Sequence, residues 1–290
     1  MSIEKVNLKY YIFDWDDNIL HMSTKIIMEK LNRDNDNWEI VDVPTSEFTE
    51  ARLDTDNYRI PLNSDNSPNF DKAFENFRDV GENGDDAFIN DMIDAIDDEK
   101  FGVSYNAFKK CLINGNLFAI VTARGHEPDA IKRGIMYFIE TQLNEEEKMK
   151  MRLHLEFYCY IFGVEIEHDK VLENYLSICE YIGVSSDYFI NSVSDDDLPE
   201  NETFTPSNTE LSKKIAVERF CKKCVQYSEL MGEKISGIEI GFSDDDRGNV
   251  VSIENLFVDR MKAQYPEVSF NIYDTSKNED ASINYDRITI

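Results

Sequence analysis

Phe13, Asp14, Trp15, Asp16, Asp17 and Asn18 directly follow the apolar run Leu8-Lys9-Tyr10-Tyr11-Ile12. A buried strand ending in an acidic cluster delivers carboxylates to its C-terminal edge, where ligands bind in open α/β sheets. Asp14 and Asp16 are two residues apart, so in extended backbone they project to one face. Left unshielded they would repel one another, and one of them would titrate late. A hard divalent cation with oxygen ligands relieves that repulsion, typically Mg²⁺ with waters and a substrate phosphate. A solvated acidic turn is the plainer reading of the same residues, and one Asp-x-Asp does not decide between them.

Three further features fall at equivalent places. The apolar run Phe118-Ala119-Ile120-Val121 ends in Thr122. Lys213 and Lys214 lie near the start of the helical pattern that follows Pro206. Ile238-Glu239-Ile240-Gly241-Phe242 runs through Ser243 into Asp244-Asp245-Asp246. On a wheel of about 100° per residue, Lys213 heads the apolar stripe of Val217, Phe220, Cys224 and Tyr227, with Lys214 about a quarter-turn away. Lys213 is therefore the preferred choice. Arg124 and His126, just beyond Thr122, are candidates for substrate contact, although His126 could equally cap or pack locally. Trp15 is expected to pack beside the site.

The elements that must position these residues read as strands alternating with helices, the pattern of βαβ units and a mostly parallel sheet. Strands are expected over residues 8–13, Leu117–Val121, Leu155–Phe162, Tyr188–Val193, Ile235–Phe242 and Val268–Tyr273. Helical spacing marks Ile26 to Leu31, Phe70–Val80, Ala87–Ile96, Tyr105–Ile113, Pro128–Leu143, Lys170–Ile182 and Ser252–Gln264, and Glu145–Met151 is helical in character. Ser207-Asn208-Thr209-Glu210 has capping-box spacing, so a helix should start there. Short strands fit Trp38–Val43 and Tyr58–Ile60, Ser194 to Pro206 reads as an acidic loop, and the tail after Asp274 reads as loose. Roughly a hundred residues separate the first two good strands, far more than a crossover needs, so an inserted helical subdomain should lie over the sheet edge.

Composition narrows the classes. The 290 residues carry 41% hydrophobic and 12% aromatic side chains, enough for a substantial core. Against 30 basic residues stand 58 acidic ones, a formal net charge of −28. Such a field repels polyanions and argues against nucleic acid as a partner. No apolar stretch approaches the roughly 20 residues that span a bilayer, so no membrane partner is expected. Met1-Ser2-Ile3-Glu4-Lys5 lacks signal-peptide design. Cys111, Cys159, Cys179, Cys221 and Cys224 are odd in number and mostly embedded in apolar segments. They read as free thiols of a reducing, cytoplasmic compartment. Cys221 and Cys224 have half a zinc site's spacing without an answering pair, so packing is the expected role. Oligomeric state is left open.

The four motifs together resemble the haloacid dehalogenase-like (HAD) superfamily of phosphotransferases: strand then Asp-x-Asp, strand then Thr, Lys near a helix start, strand then acidic cluster. The likeness covers about residues 6–20, 115–140 and 187–275. Two departures stand out: Asp17-Asn18 replaces the family's usual Gly-Thr, and Phe242-Ser243 intervenes before the last acidic cluster. The resemblance implies a three-layer, Rossmann-like α/β core of residues 1–20 and 115–290, with an additional insertion around 145–185. It implies a mainly helical cap at 21–114 that favours a small phosphorylated substrate. It further implies that Asp14 attacks phosphorus to form an aspartyl-phosphate and that Asp16 acts as acid, then base. Thr122 binds a phosphoryl oxygen, and Lys213 balances negative charge. Mg²⁺ is held by Asp14, by Asp16 through its backbone carbonyl, and by Asp244 or Asp245. The alternatives are a catalytically weak metal- and phosphate-binding regulatory module, or a phosphatase acting on a nucleic-acid end or a phosphoprotein.

Overall fold

The apolar run closing on Phe13 becomes β1 (Val6–Phe13), one of the two middle strands of the main sheet. The computed structural model describes residues 5–80, 84–165, 167–198, 202–276 and 286–290. A hairpin of β2 (Lys25–Asn32) and β3 (Asn37–Pro44) follows, then α1 (Thr45–Leu53), β4 (Tyr58–Arg59) and α2 (Phe70–Ala73). α3 (Ala87–Asp97) and α4 (Tyr105–Ile113) lead to β5 (Phe118–Thr122). α5 (Pro128–Gln142), α6 (Glu145–Phe162) and α7 (Val171–Ile178) lead to β6 (Glu180–Gly183). α8 (Asp187–Ser192) and α9 (Thr209–Met231) precede β7 (Ile235–Asp244), and α10 (Arg247–Leu256) precedes β8 (Val268–Asp274). β9 (Asp286–Thr289) completes the order.

The main sheet runs β6-β5-β1-β7-β8-β9, with every neighbouring pair parallel except β8 and β9. Side chains alternate across it with the strand period. Leu8, Tyr10 and Ile12 pack with Ala119, Val121, Ile240 and Phe242 against α9 and α10. Phe13, Phe118 and Ile120 face the other way, into an aromatic cluster with Trp15, Phe88, Phe108 and Phe138. Helices cover both faces, and β5 accordingly reads as a continuous apolar run, while β1, β7 and β8 keep a partial alternation. The α/β, mostly parallel, Rossmann-like class expected from the sequence is the class observed. Among the described residues no helix is long and apolar enough to cross a membrane.

Residues 21–114 depart from the mainly helical expectation. Ile26, Ile27 and Met28 are buried in β2, not in a helix, and β3-β2-β4 form a small antiparallel sheet. The expected strands over Trp38–Val43 and Tyr58–Ile60 are β3 and β4. The helix expected over Phe70–Val80 reduces to α2, capped by Asn69, and a 3-10 turn at Glu75–Phe77. α3 and α4 instead pack into the same aromatic cluster as β5, through Phe88, Met92 and Phe108.

Further corrections lie beyond β5. Leu155–Phe162, expected as a strand, belongs to α6, which is held at both ends. Asn144 and Glu147 form a capping box, and Gly163 closes the helix at φ 70°, a conformation that costs L-residues strain. The helix expected over Lys170–Ile182 stops at Ile178, and β6 follows, too short for its alternation of Tyr181 and Gly183 to register. Tyr188–Val193 is helical as α8, because Ser186 caps Phe189 N–H. α9 starts as expected, but Asn208 rather than Ser207 is its cap. Asp246 caps α10, so that helix begins at Arg247 instead of Ser252. The acidic loop after Ser194 holds a 3-10 turn at Asp195–Asp197, with 199–201 outside the described residues. The tail expected to be loose contains β9, while 277–285, like 1–4, lie outside the described residues.

Candidate active site

Register makes the site. Phe13 of β1 stands opposite Ile120 of β5 and Ser243 of β7, so the three strands end within two residues of one level. Asp14 N–H still donates to the Ser243 carbonyl at 2.9 Å, which holds the first carboxylate at the sheet edge. Asp17 then turns the chain with φ 55°. Asn18, fully buried, secures that turn. Its amide donates to the carbonyls of Asp14 (3.0 Å) and Ser243 (3.1 Å), and its oxygen accepts from the hydroxyls of Ser243 (3.1 Å) and Thr275 (3.0 Å). Asn18 thus binds the ends of β1 and β7 together.

Lys213 enters from the first turns of α9, on the buried stripe. Its ammonium is 2.9 Å from Asp14 Oδ1 and 2.9 Å from Asp244 Oδ2. Lys214, one position on, is half-buried. Asp244 ends β7 with no exposure, accepting from Asp246 N–H at 2.9 Å and from the Asn249 amide at 3.2 Å. The acidic triplet therefore divides: Asp244 faces the site, Asp245 stands beside it, and Asp246 caps α10.

Carboxylate oxygens of Asp14, Asp244 and Asp245 lie within 4.8 Å of one another. Three carboxylates crowd one ammonium, and their titration reflects it. Burial, reinforced by the charges of Asp244, Asp245 and Asp16, lifts Asp14 well above the carboxylate range despite Lys213. Burial and the Asp244 charge push Asp245 up to about 7. Burial works against the charge on Lys213, but Asp14 and Asp244 outweigh it and keep the ammonium protonated. An all-oxygen, electron-rich donor set of this kind fits a hard divalent cation.

Asp16 lies outside that trio. Its carboxylate is forked by Arg124, with Nε at 3.0 and 2.8 Å and Nη2 at 2.7 Å, and accepts from Thr122 Oγ1 at 3.3 Å. Burial opposes its charge, yet Arg124 prevails and holds the carboxyl below the usual range. The Asp16 carbonyl accepts Asn18 N–H at 2.6 Å. Of the residues singled out in the sequence, Asp14, Lys213, Asp244 and Asp245 form one cluster. Thr122 and Asp16 form a second beside it.

Arg124, considered for substrate contact, has its fork filled by protein groups. His126 packs: it is fully buried, edge-on to Phe88, with Nδ1 at 2.7 Å from Asp79. Trp15 lies buried among Phe88, Phe108 and Phe138, as expected. Cys221 and Cys224 pack in the core beneath α9. The sequence singles out Asn18 and Ser243 only as departures from the motif pattern, without the hydrogen bonds they make, and does not mark Thr275 or Asn249 at all. Comparison of the chain with protein-family models, with curated proteins and with solved structures finds no match.

Proposed function

We propose that this chain is a HAD-like phosphohydrolase, dependent on Mg²⁺, which cleaves a small phosphate monoester through an aspartyl-phosphate on Asp14. The observation that carries this reading is Lys213 bridging Asp14 and Asp244, while Asp245 completes an acidic trio at the C-terminal edge of a parallel sheet. Three segments distant in sequence supply these groups. The central place of β1, flanked by β5 and β7, supports the same reading, and residues 21–114 take the part of the cap.

Asp14 offers a carboxylate oxygen as nucleophile to phosphorus, in the manner of other aspartyl-phosphate enzymes. Lys213 stabilises negative charge that gathers on the phosphoryl oxygens, and Thr122 offers one hydroxyl donor to them. A divalent cation held by Asp14, Asp244 and Asp245 would neutralise charge between nucleophile and phosphoryl group and orient the latter. Asp16, ionised against Arg124, is ready as the base that takes a proton from the hydrolytic water. To protonate a poor leaving oxygen it must first acquire a proton. An aryl oxide leaves without that help.

The test is hydrolysis of an aryl phosphate with and without Mg²⁺. Turnover that requires Mg²⁺ and vanishes in Asp14→Asn supports the reading, and turnover unchanged in that variant removes it. A second reading, a metal- and phosphate-binding module without turnover, draws on the clamped state of Asp16. Stabilisation by Mg²⁺ without hydrolysis of any phosphate in a broad panel selects it.

A further inference from the structure

Arg124 is 2% exposed, yet every arm of its guanidinium is engaged. Nε and Nη2 grip Asp16 on the strand-end side. Nη2 also donates to Thr24 Oγ1, and Nη1 reaches Asp91 Oδ2 at 3.2 Å on α3. The Thr24 hydroxyl donates in turn to Asp91. Phe77 and Phe88 lie against the guanidinium, 5.0 and 5.8 Å from ring centre to its carbon. Nη1 also stands 3.4 Å from His126 Nε2. A guanidinium cannot accept, so Nε2 accepts and the Nδ1–H must donate to Asp79. Asp79 also accepts Glu127 N–H at 2.7 Å, which pins the loop after β5. Thr24, Phe77, Asp79, Phe88 and Asp91 all belong to the long connection between β1 and β5. Asp16 stands at the very start of the same connection, directly after β1, and is the partner through which the guanidinium reaches the reacting groups.

From this geometry we infer that Arg124 is a positioning residue through which the 24–91 connection sets the orientation of the Asp16 carboxylate. The inference rests on the proposed role of Asp16 in phosphate-ester hydrolysis. The carboxyl groups of Asp16 and Asp91 are coupled through one guanidinium. A fork of fixed geometry transmits a shift of α3 to Asp16 in a way that a single flexible ammonium does not. Misplacing a reacting group by about 1 Å is enough to cost on the order of a hundredfold in rate.

The experiment is a cycle of Asp16→Asn and Asp91→Asn in the full chain, with Thr24→Val and Arg124→Lys alongside. In the wild-type background Asp91→Asn should lower kcat for an alkyl phosphate by about tenfold or more with KM unchanged. In the Asp16→Asn background the same change should cost less than about twofold, since nothing is left to position. Thr24→Val should repeat the pattern more weakly, and Arg124→Lys should keep KM without restoring kcat. Equal rate factors in both backgrounds overturn the inference. Melting temperatures supply a readout that needs no turnover, because the shifts of Asp16→Asn and Asp91→Asn should fail to add. If the wild type hydrolyses nothing and the shifts do not add, the proposed function falls and the coupling stands. If the shifts add, the coupling falls whatever the activity.

Discussion

Lys213 balances the acidic site. With one ammonium shared between Asp14 and Asp244 in a region closed to solvent, removing it leaves two buried carboxylates facing each other and a third nearby. Breaking a buried pair from one side costs about 3–5 kcal/mol, so Lys213→Met should lose that much in denaturant unfolding without metal. Mg²⁺ should recover part of it. The titration of Asp245 adds a pH dependence whose sign is fixed. Its carboxyl stands at about 7 in the fold against about 3.9 in an unfolded chain, so its contribution is complete below about pH 4 and is lost as pH rises through 7. The rise in melting temperature produced by Mg²⁺ should therefore be larger at pH 8 than at pH 5.5, and Asp245→Asn should flatten that difference. Type and spacing were enough to find Asp14, Thr122, Lys213, Asp244 and Asp245, because each closes a strand or opens a helix. The Arg124 clamp was not legible: its partners Asp91 and Thr24 lie 33 and 100 residues away, and nothing local marks them.

Among the elements, long buried strands and helices with a clear apolar stripe declared themselves, and short edge pieces did not. β1, β5, β7 and β8 are apolar runs between helices, and α3, α4 and α5 follow the helical period almost residue for residue. α6 misled because its aromatic C-terminal half resembles a strand, while Phe157 and Tyr160 face solvent in a helix fixed by its caps. β6 misled through shortness, although its last residue matters to the site. A Cβ on Gly183 would lie 2.4 Å from the His126 carbonyl and 2.8 Å from that of Arg124. Both are backbone atoms that cannot swing away. Gly183→Ala should therefore displace the loop after β5, lower the melting temperature by several degrees and reduce turnover together. Normal melting and turnover in that variant would show the loop to be less constrained than this packing implies. Asn18→Ala tests the turn after β1 in the same way. It orphans hydrogen-bonding groups at the ends of two strands, and a loss of about 2–4 kcal/mol in denaturant unfolding is expected.

For the whole molecule, charge is the dominant variable. A net charge of −28 surrounds a site that is itself crowded with carboxylates. Anionic substrates are repelled over a distance that shrinks to about 10 Å at 0.1 M salt. KM for a phosphate monoester should accordingly fall as sodium chloride is raised from low ionic strength to about 0.1 M, the reverse of the behaviour of a basic site. A KM that rises with salt would locate a cationic approach path not apparent in the composition.

Covalent trapping on Asp14 reaches the central claim most directly. During turnover of an aryl phosphate with Mg²⁺, acid-quenched protein should carry one phosphoryl group on the peptide containing Asp14, labile to hydroxylamine and absent in Asp14→Asn. Phosphate on a different residue, or steady hydrolysis by Asp14→Asn, would contradict the account.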